Sequence, residues 1–245
     1  MVTGGTRGIG RATVERLLAD GLSVCFCGRD GEAGAAVERA LGDRAFFHRA
    51  DVAAEADVAR LVDACVSRLG PPAVLVNNAG RNANFDAATM TEAEWDAFFG
   101  VDLKSAWLCV KHVLPFMRAS GGGAIVNVSS IHAAVTLEGF FPYAAAKAGL
   151  TGLTRSLALD LGSSGIRVNC VCPGFTDTRL VRESMARSAD PGAAERAMVA
   201  GVALGRIAAP AEIAATIAFL ASADASYVTG ATLYVDGGLT ARRAG

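Results

Sequence analysis

Apolar residues gather in six short continuous runs, at positions 22–27, 45–48, 73–77, 124–129, 166–172 and 232–235. Unbroken runs of this length predict strands buried on both faces, as in a parallel sheet. Between them apolar positions recur at helical spacing over 10–20, 55–69, 92–119, 142–161 and 211–222. Thr91 and Glu94 form a capping box before the third of these helices, and Pro142 suits the first turn of the fourth. Alternating strands and helices predict an α/β fold: a single-domain, Rossmann-type, doubly wound parallel sheet with helices on both faces. No linker, repeat or low-complexity segment divides the chain, so 1–245 reads as one domain. Only the stretch 176–205, with mixed charge, several alanines and a Pro191-Gly192 break, departs from the rhythm. Lying just past a strand's C-terminal end, it reads as a substrate lid, with a plain surface helical excursion as the alternative.

Composition narrows the function. The 245 residues are 52% hydrophobic, which suits one well-filled α/β core. With 23 basic and 24 acidic residues the net charge is −1, so neither nucleic acid nor a strongly charged partner is expected. No apolar run approaches the ~20 residues that span a bilayer. Glycines near the start stand where a secretory leader would be apolar, so a soluble, cytoplasmic protein is expected. Cys25 with Cys27, and Cys170 with Cys172, are C-x-C pairs inside strand runs, and with Cys65 and Cys109 they read as small core residues. Ligand spacing for a metal is missing, and none is expected.

The chemistry begins at Thr3-Gly4-Gly5-Thr6-Arg7-Gly8-Ile9-Gly10, a Gly-rich turn opening a helix. Glycines let a backbone approach a pyrophosphate, and a helix N-terminus offers free N–H groups and a positive dipole end. Only Met1, Val2 and Thr3 precede the turn where a central strand is needed, so either that strand is truncated or the true start lies upstream. At the end of the next strand, where an acidic residue would hold ribose hydroxyls, stand Gly28 and Arg29. Arg29 suits a 2′-phosphate, with Arg7 as a second charge, which favours NADP(H) over NAD(H). The opposing reading has Asp30 taking the ribose.

Tyr143 and Lys147 are four apart and share a helix face. An ammonium beside a phenol favours the phenolate, which suits a group that donates a proton in reduction and accepts one in oxidation. Ser130 ends the strand run thirteen residues upstream, at the sheet edge where ligands bind in open α/β folds, and its hydroxyl suits a carbonyl or alkoxide oxygen.

Taken together, Thr3 to Gly10, Asp51-Val52, Asn77-Asn78-Ala79-Gly80, Ser130, Tyr143 with Lys147, Pro173-Gly174 and Val235-Asp236-Gly237-Gly238 resemble the short-chain dehydrogenase/reductase family, in its single-domain branch. The resemblance covers residues 2 to about 238. It implies catalysis by Ser130, Tyr143 and Lys147 on a carbonyl or secondary alcohol. It also implies cofactor contacts from Gly4, Thr6, Arg7, Gly8, Ile9, Gly10 and Arg29. Asp51 and Val52 would frame the adenine, and Asn78, Ala79 and Gly80 would line the cofactor. Pro173, Gly174, Thr176 and Thr178 would cover the nicotinamide, with Tyr143 and Lys147 against its ribose. A homo-oligomer, tetramer or dimer, is implied as well, with the helices at 92–119 and 142–161 packing across interfaces. One departure stands out: the family's usual Asn, which helps hold a proton-relaying water, is replaced by Asp102 in Val101-Asp102-Leu103.

Around the site, Arg81, Asn82 and Asn84 suit a polar pocket edge, and Phe140, Phe141, Phe175 and Leu180 an apolar wall. His132 reads as a loop residue or a substrate neighbour, and His48 and His112 as structural or exposed. The substrates that fit this resemblance are 3-oxoacyl thioesters or polyketides on one side and sugars or polyols, oxidised with NAD, on the other. Arg179, Arg182 and Arg187 offer a modest basic patch for an acidic carrier. A non-catalytic dinucleotide sensor would keep the turn but lose Ser, Tyr or Lys.

Overall fold

The computed structural model describes residues 1–82, 84–186 and 190–241. Six strands form in chain order: β1 (Val24–Gly28), β2 (Ala45–Arg49), β3 (Val74–Asn77), β4 (Gly123–Val128), β5 (Ile166–Pro173) and β6 (Thr232–Val235). All pairings are parallel, in the spatial orders β1-β2 and β3-β4-β5-β6. The two ladders are joined by the first three residues. Val2 bridges Phe26 on one side and Val76 on the other, and Val2 N donates to Cys25 O at 2.9 Å while Val76 N donates to Met1 O at 2.9 Å. The central position is thus filled, by a ladder only one bridge long.

Helices α1 (Gly8–Ala19), α2 (Gly31–Leu41), α3 (Glu55–Leu69), α4 (Glu92–Phe99), α5 (Ser105–Ala119), α6 (Tyr143–Leu161), α7 (Arg179–Ala186), α8 (Pro191–Ala200) and α9 (Pro210–Ala221) cover both faces. Strand alternation sorts the core into two layers. Cys25, Leu75, Ile125 and Val168 face α3, α5 and α6, where Leu61, Leu108, Met117 and Leu161 meet them. Phe26, Val76, Val126 and Val171 face α1 and α9, against Val14, Leu17, Ile213 and Ile217. Both C-x-C pairs are buried and unbridged, as small core residues.

Two departures from the sequence pattern matter. The helical run 92–119 is interrupted by a π-helical turn at Gly100–Lys104, which adds one residue to the winding. The capping box at its start forms as the sequence predicts: Thr91 N donates to Glu94 Oε2 at 2.9 Å and Glu94 N to Thr91 Oγ1 at 3.2 Å. The stretch after β5 forms α7 and α8, and its ends meet where Thr176 bridges Ala208. A further helix, α2, packs Gly34 directly on Phe47, whose ring leaves no space for a Cβ.

A buried polar ladder crosses the sheet. Asn77 Nδ2 donates to Asn127 Oδ1 at 2.8 Å, Asn127 Nδ2 donates to Thr154 Oγ1 at 2.9 Å, and Thr154 Oγ1 donates to Leu150 O at 2.7 Å. It ties β3, β4 and α6 into one phase.

Candidate active site

The Gly-rich turn follows Val2 and leads into α1. Gly4 (φ 66°) and Gly8 (φ 54°) take left-handed backbone that other residues resist. Gly10 has a second reason: a Cβ there would lie 2.2 Å from Gly4 O. Arg7 is extended and exposed, and no side chain caps α1. The open helix N-terminus, with its outward N–H groups, is the donor set a pyrophosphate requires. Thr3 Oγ1 accepts from Asn78 N and Ala79 N, both at 3.0 Å, and Asn78 Nδ2 donates to Thr3 O at 2.9 Å. Residues 3–10 and 78–80 are therefore one rigid unit. Thr178 packs 3.3 Å from where a Gly8 Cβ would stand, so the base of the α7–α8 excursion touches the turn.

At the end of β1, Arg29 is exposed, and Arg49 Nε donates to Arg29 O at 3.0 Å. Asp30 caps α2, accepting from Ala33 N at 3.0 Å. Asp51 Oδ1 accepts from Ala53 N at 3.0 Å, and Val52 is buried beside it. The uncapped helix and exposed Arg7 suit the pyrophosphate of a dinucleotide, and Arg29 and Arg49 stand exposed at the ends of β1 and β2. Pro173 is buried, Gly174 lies against Asp236, and Thr176 Oγ1 donates to Gly174 O at 3.1 Å.

The loop after β4 and the first turns of α6 carry the candidate reacting groups, Ser130, Tyr143 and Lys147. Lys147 is 4% exposed, with Nζ 5.5 Å from the centre of the Tyr143 ring. Its ammonium lies 3.6 Å from Asp102 Oδ1 and donates to Val128 O at 3.4 Å. Ser129 Oγ donates to Lys147 O at 2.7 Å and fixes the helix against the strand. Asp102 sits on the π-helical turn, 1% exposed, and its two carboxylate oxygens accept from Arg81 N at 3.1 and 3.2 Å. Burial pushes the Asp102 carboxyl above its ordinary range, and the Lys147 charge opposes that shift. Gly80 faces the pair: a Cβ there would lie 3.0 Å from Asp102 Oδ1 and 3.1 Å from Lys147 Nζ. Ser130 is buried and its Oγ accepts from His132 N at 3.3 Å. The accepted bond leaves the Ser130 O–H to donate outward.

Aromatic residues flank this centre. His132 stacks on Phe140 with ring centres 4.0 Å apart, Trp95 stacks on Phe99 at 4.3 Å, and Phe141 lies 6.0 Å from Trp95. Of the polar edge expected from the sequence, Arg81 instead turns its guanidinium over Phe98, 5.4 Å from the ring centre, and Asn84 bridges Pro142 through backbone. Asn82 is exposed. Phe175 is half-buried at the base of the excursion. Arg187 and the Leu180 side chain lie outside the described residues. Arg179 and Arg182 pair with Glu183 and Asp177. Neither Ser129 nor the Asn127–Thr154 pair is in the motifs read from sequence. Their one signal is a polar residue inside an otherwise apolar strand.

An open helix terminus, a parallel-sheet edge and a half-buried tyrosine beside a buried Lys–Asp pair and a serine define a dinucleotide-dependent oxidoreductase. A family profile described as enoyl-(acyl carrier protein) reductase matches residues 4–240, and the chain belongs to the short-chain dehydrogenase/reductase family. It is similar to cis-4-hydroxycyclohexanecarboxylate dehydrogenase of Sinomonas cyclohexanicum, at 45% identity over 98% of this chain and 96% of that one. It is 38% identical to the 3-oxoacyl-[acyl-carrier-protein] reductase of Staphylococcus aureus (strain Mu50), over 98% of this chain and 96% of that one. Among solved structures it resembles a single-residue variant of actinorhodin polyketide ketoreductase with NADPH, with a TM-score of 0.92 and 35% identity over 97% of this chain and 95% of that one. It is thus an enzyme acting on alcohol or carbonyl groups. No helix among the described residues is long and apolar enough to cross a membrane.

Proposed function

We propose that this enzyme transfers a hydride between NADP(H) and a small ketone or secondary alcohol whose body is apolar or cyclic. The observation that carries the reading is the withdrawn Lys147 ammonium beside the Tyr143 ring, 5.5 Å from its centre. A bound nicotinamide supplies or accepts the hydride. Tyr143 gives its hydroxyl proton to the developing alkoxide in reduction and takes it back in oxidation. Lys147 supplies positive charge where the phenol oxygen gains negative charge, and holds the nicotinamide ribose. Ser130 donates its O–H to the substrate oxygen. Asp102 holds the ammonium in place and would hold the water that relays protons to it. Gly4, Thr6, Arg7, Gly8, Ile9 and Gly10 hold the pyrophosphate. Asp51 and Val52 frame the adenine, Asn78, Ala79 and Gly80 line the cofactor, and Pro173, Gly174, Thr176 and Thr178 cover the nicotinamide.

Preference for NADP(H) rests on Arg29, Arg7 and Arg49 at the adenosine end and on Asp30 being engaged as a helix cap. The NADPH carried by the similar ketoreductase agrees with it. An apolar or cyclic substrate rests on the Trp95, Phe140 and Phe141 faces and on the cyclohexane named in the similar dehydrogenase. The α7–α8 excursion, anchored at Thr176 and Ala208, serves as the lid. Exposed Trp107 on α5 and Leu159 on α6 support packing between copies, a dimer or tetramer that a stable monomer in solution would refute.

The test is a panel of cyclic alcohols and ketones, acetoacetyl thioesters and aldoses, run with NADPH and NADP⁺ and with Tyr143→Phe as control. Turnover of cyclic substrates that vanishes in the variant supports the reading. Turnover that survives intact in the variant overturns it.

A further inference from the structure

His132 touches both catalytic groups of the reading above, by two different parts of itself. Its backbone N–H donates to Ser130 Oγ at 3.3 Å. Its imidazole meets Tyr143 edge to face, with centres 5.6 Å apart and planes at 77°. The residue is 8% exposed, and its ring is held on two further sides. Phe140 stacks on it at 4.0 Å and 17°, and Thr136 Oγ1 lies 3.0 Å from Nδ1, which fixes its rotation. Phe140 in turn lies 6.2 Å from Tyr143, so three rings form a closed triangle. Among the described residues nothing hydrogen-bonds the Tyr143 hydroxyl, so ring packing sets where that oxygen points. Lys147 supplies charge near the phenol, 5.5 Å from the ring centre, but no hydrogen bond to it.

We propose that His132 is a positioning residue, setting Ser130 through its amide and Tyr143 through its ring. The imidazole acts here as an aromatic wedge, not as an acid or base. Edge-to-face geometry places the positive rim of one ring on the negative face of the other, which selects one ring orientation. Burial also pushes the imidazole below its ordinary pKa, so at neutral pH it adds no charge beside Lys147. The role rests on the reading of Tyr143 as the proton-transfer group. A ring of similar size should replace His132, and a methyl group should not.

Fluorotyrosine incorporated at the three tyrosines gives a fluorine spectrum that reports ring packing without turnover. Tyr143→Phe assigns the site's resonance, and Tyr227 and Tyr234 serve as internal references. In His132→Ala the Tyr143 resonance should shift alone, while in His132→Phe it should stay close to the wild-type position. With substrate, kcat of His132→Ala should fall by about tenfold or more, with His132→Phe within about threefold of wild type and KM for NADPH held in both. The proposal is overturned if the Tyr143 resonance stays put in His132→Ala, if all three resonances move together, or if His132→Phe loses kcat as fully as His132→Ala. A wild-type enzyme that turns over nothing on the panel would count against the proposed function, and the spectra alone would then decide the role of His132.

Discussion

The Asp102 carboxylate stands 3.6 Å from the Lys147 ammonium, and both are withdrawn from water. In the family pattern this place belongs to an asparagine, which has the same shape and no charge. The Arg81 N–H that the carboxylate receives is equally available to an amide oxygen. Asp102→Asn should therefore change kcat less than tenfold, under ~1.4 kcal/mol of barrier. Steady-state kinetics with NADPH check it. A larger gain would show that the natural carboxylate impairs the proton relay.

His132 links stability to pH. Burial lowers its folded pKa below the ordinary 6.5. As pH falls through 6.5, the unfolded chain takes up a proton that the buried ring refuses. This group's contribution is then constant above 6.5 and destabilising below it, down to the folded value. His132→Phe should flatten that part of the acid slope, as measured by urea denaturation across the range. An unchanged slope would show that the imidazole titrates freely.

Gly80 is open to solvent on one side and closed by the ion pair on the other. Its Cβ position lies 3.0 Å from Asp102 Oδ1 and 3.1 Å from Lys147 Nζ. Gly80→Ala should press the pair apart and lower kcat about tenfold, with stability losing ~1–3 kcal/mol from the overpacking. Kinetics together with thermal melting separate the two effects, and kcat within twofold of wild type would show that the pair yields without consequence.

Arg29 bears on the choice of nicotinamide. Arg29→Ala should lower kcat/KM for NADPH at least about tenfold, or ~1.4 kcal/mol, and leave NADH within about threefold. Equal losses with both, or a native preference for NADH, would remove the 2′-phosphate role.

What the sequence disclosed followed from contiguity. The strands are short, mostly apolar runs, so Val24–Gly28 and Ile166–Pro173 were legible to within two residues. Ser130, Tyr143 and Lys147 lie within one strand-to-helix unit and could be read as a motif. The π-helical turn at Gly100–Lys104 could not, because a one-residue offset in apolar spacing also occurs in an ordinary amphipathic helix, whose apolar positions fall at both i+3 and i+4. The Asn77–Asn127–Thr154 ladder was hidden for another reason: its partners are 50 and 27 residues apart, and a polar residue in an apolar strand looks like an interruption. His132 read as a loop residue because Phe140 reaches it only once the loop has folded back.

That ladder, with the Ser129 bond to the Lys147 carbonyl, sets the pitch of α6 from beneath the sheet. The loop at 133–141 stands outside that ladder, yet its Thr136 and Phe140 hold His132 beside Tyr143, and Arg81, where the other loop begins, holds Asp102 through its amide. The loops and the reacting centre are therefore mechanically joined. A loop exchanged between relatives would carry these supports away with it, so Arg81, Thr136 and Phe140 are the residues to keep in engineering this enzyme.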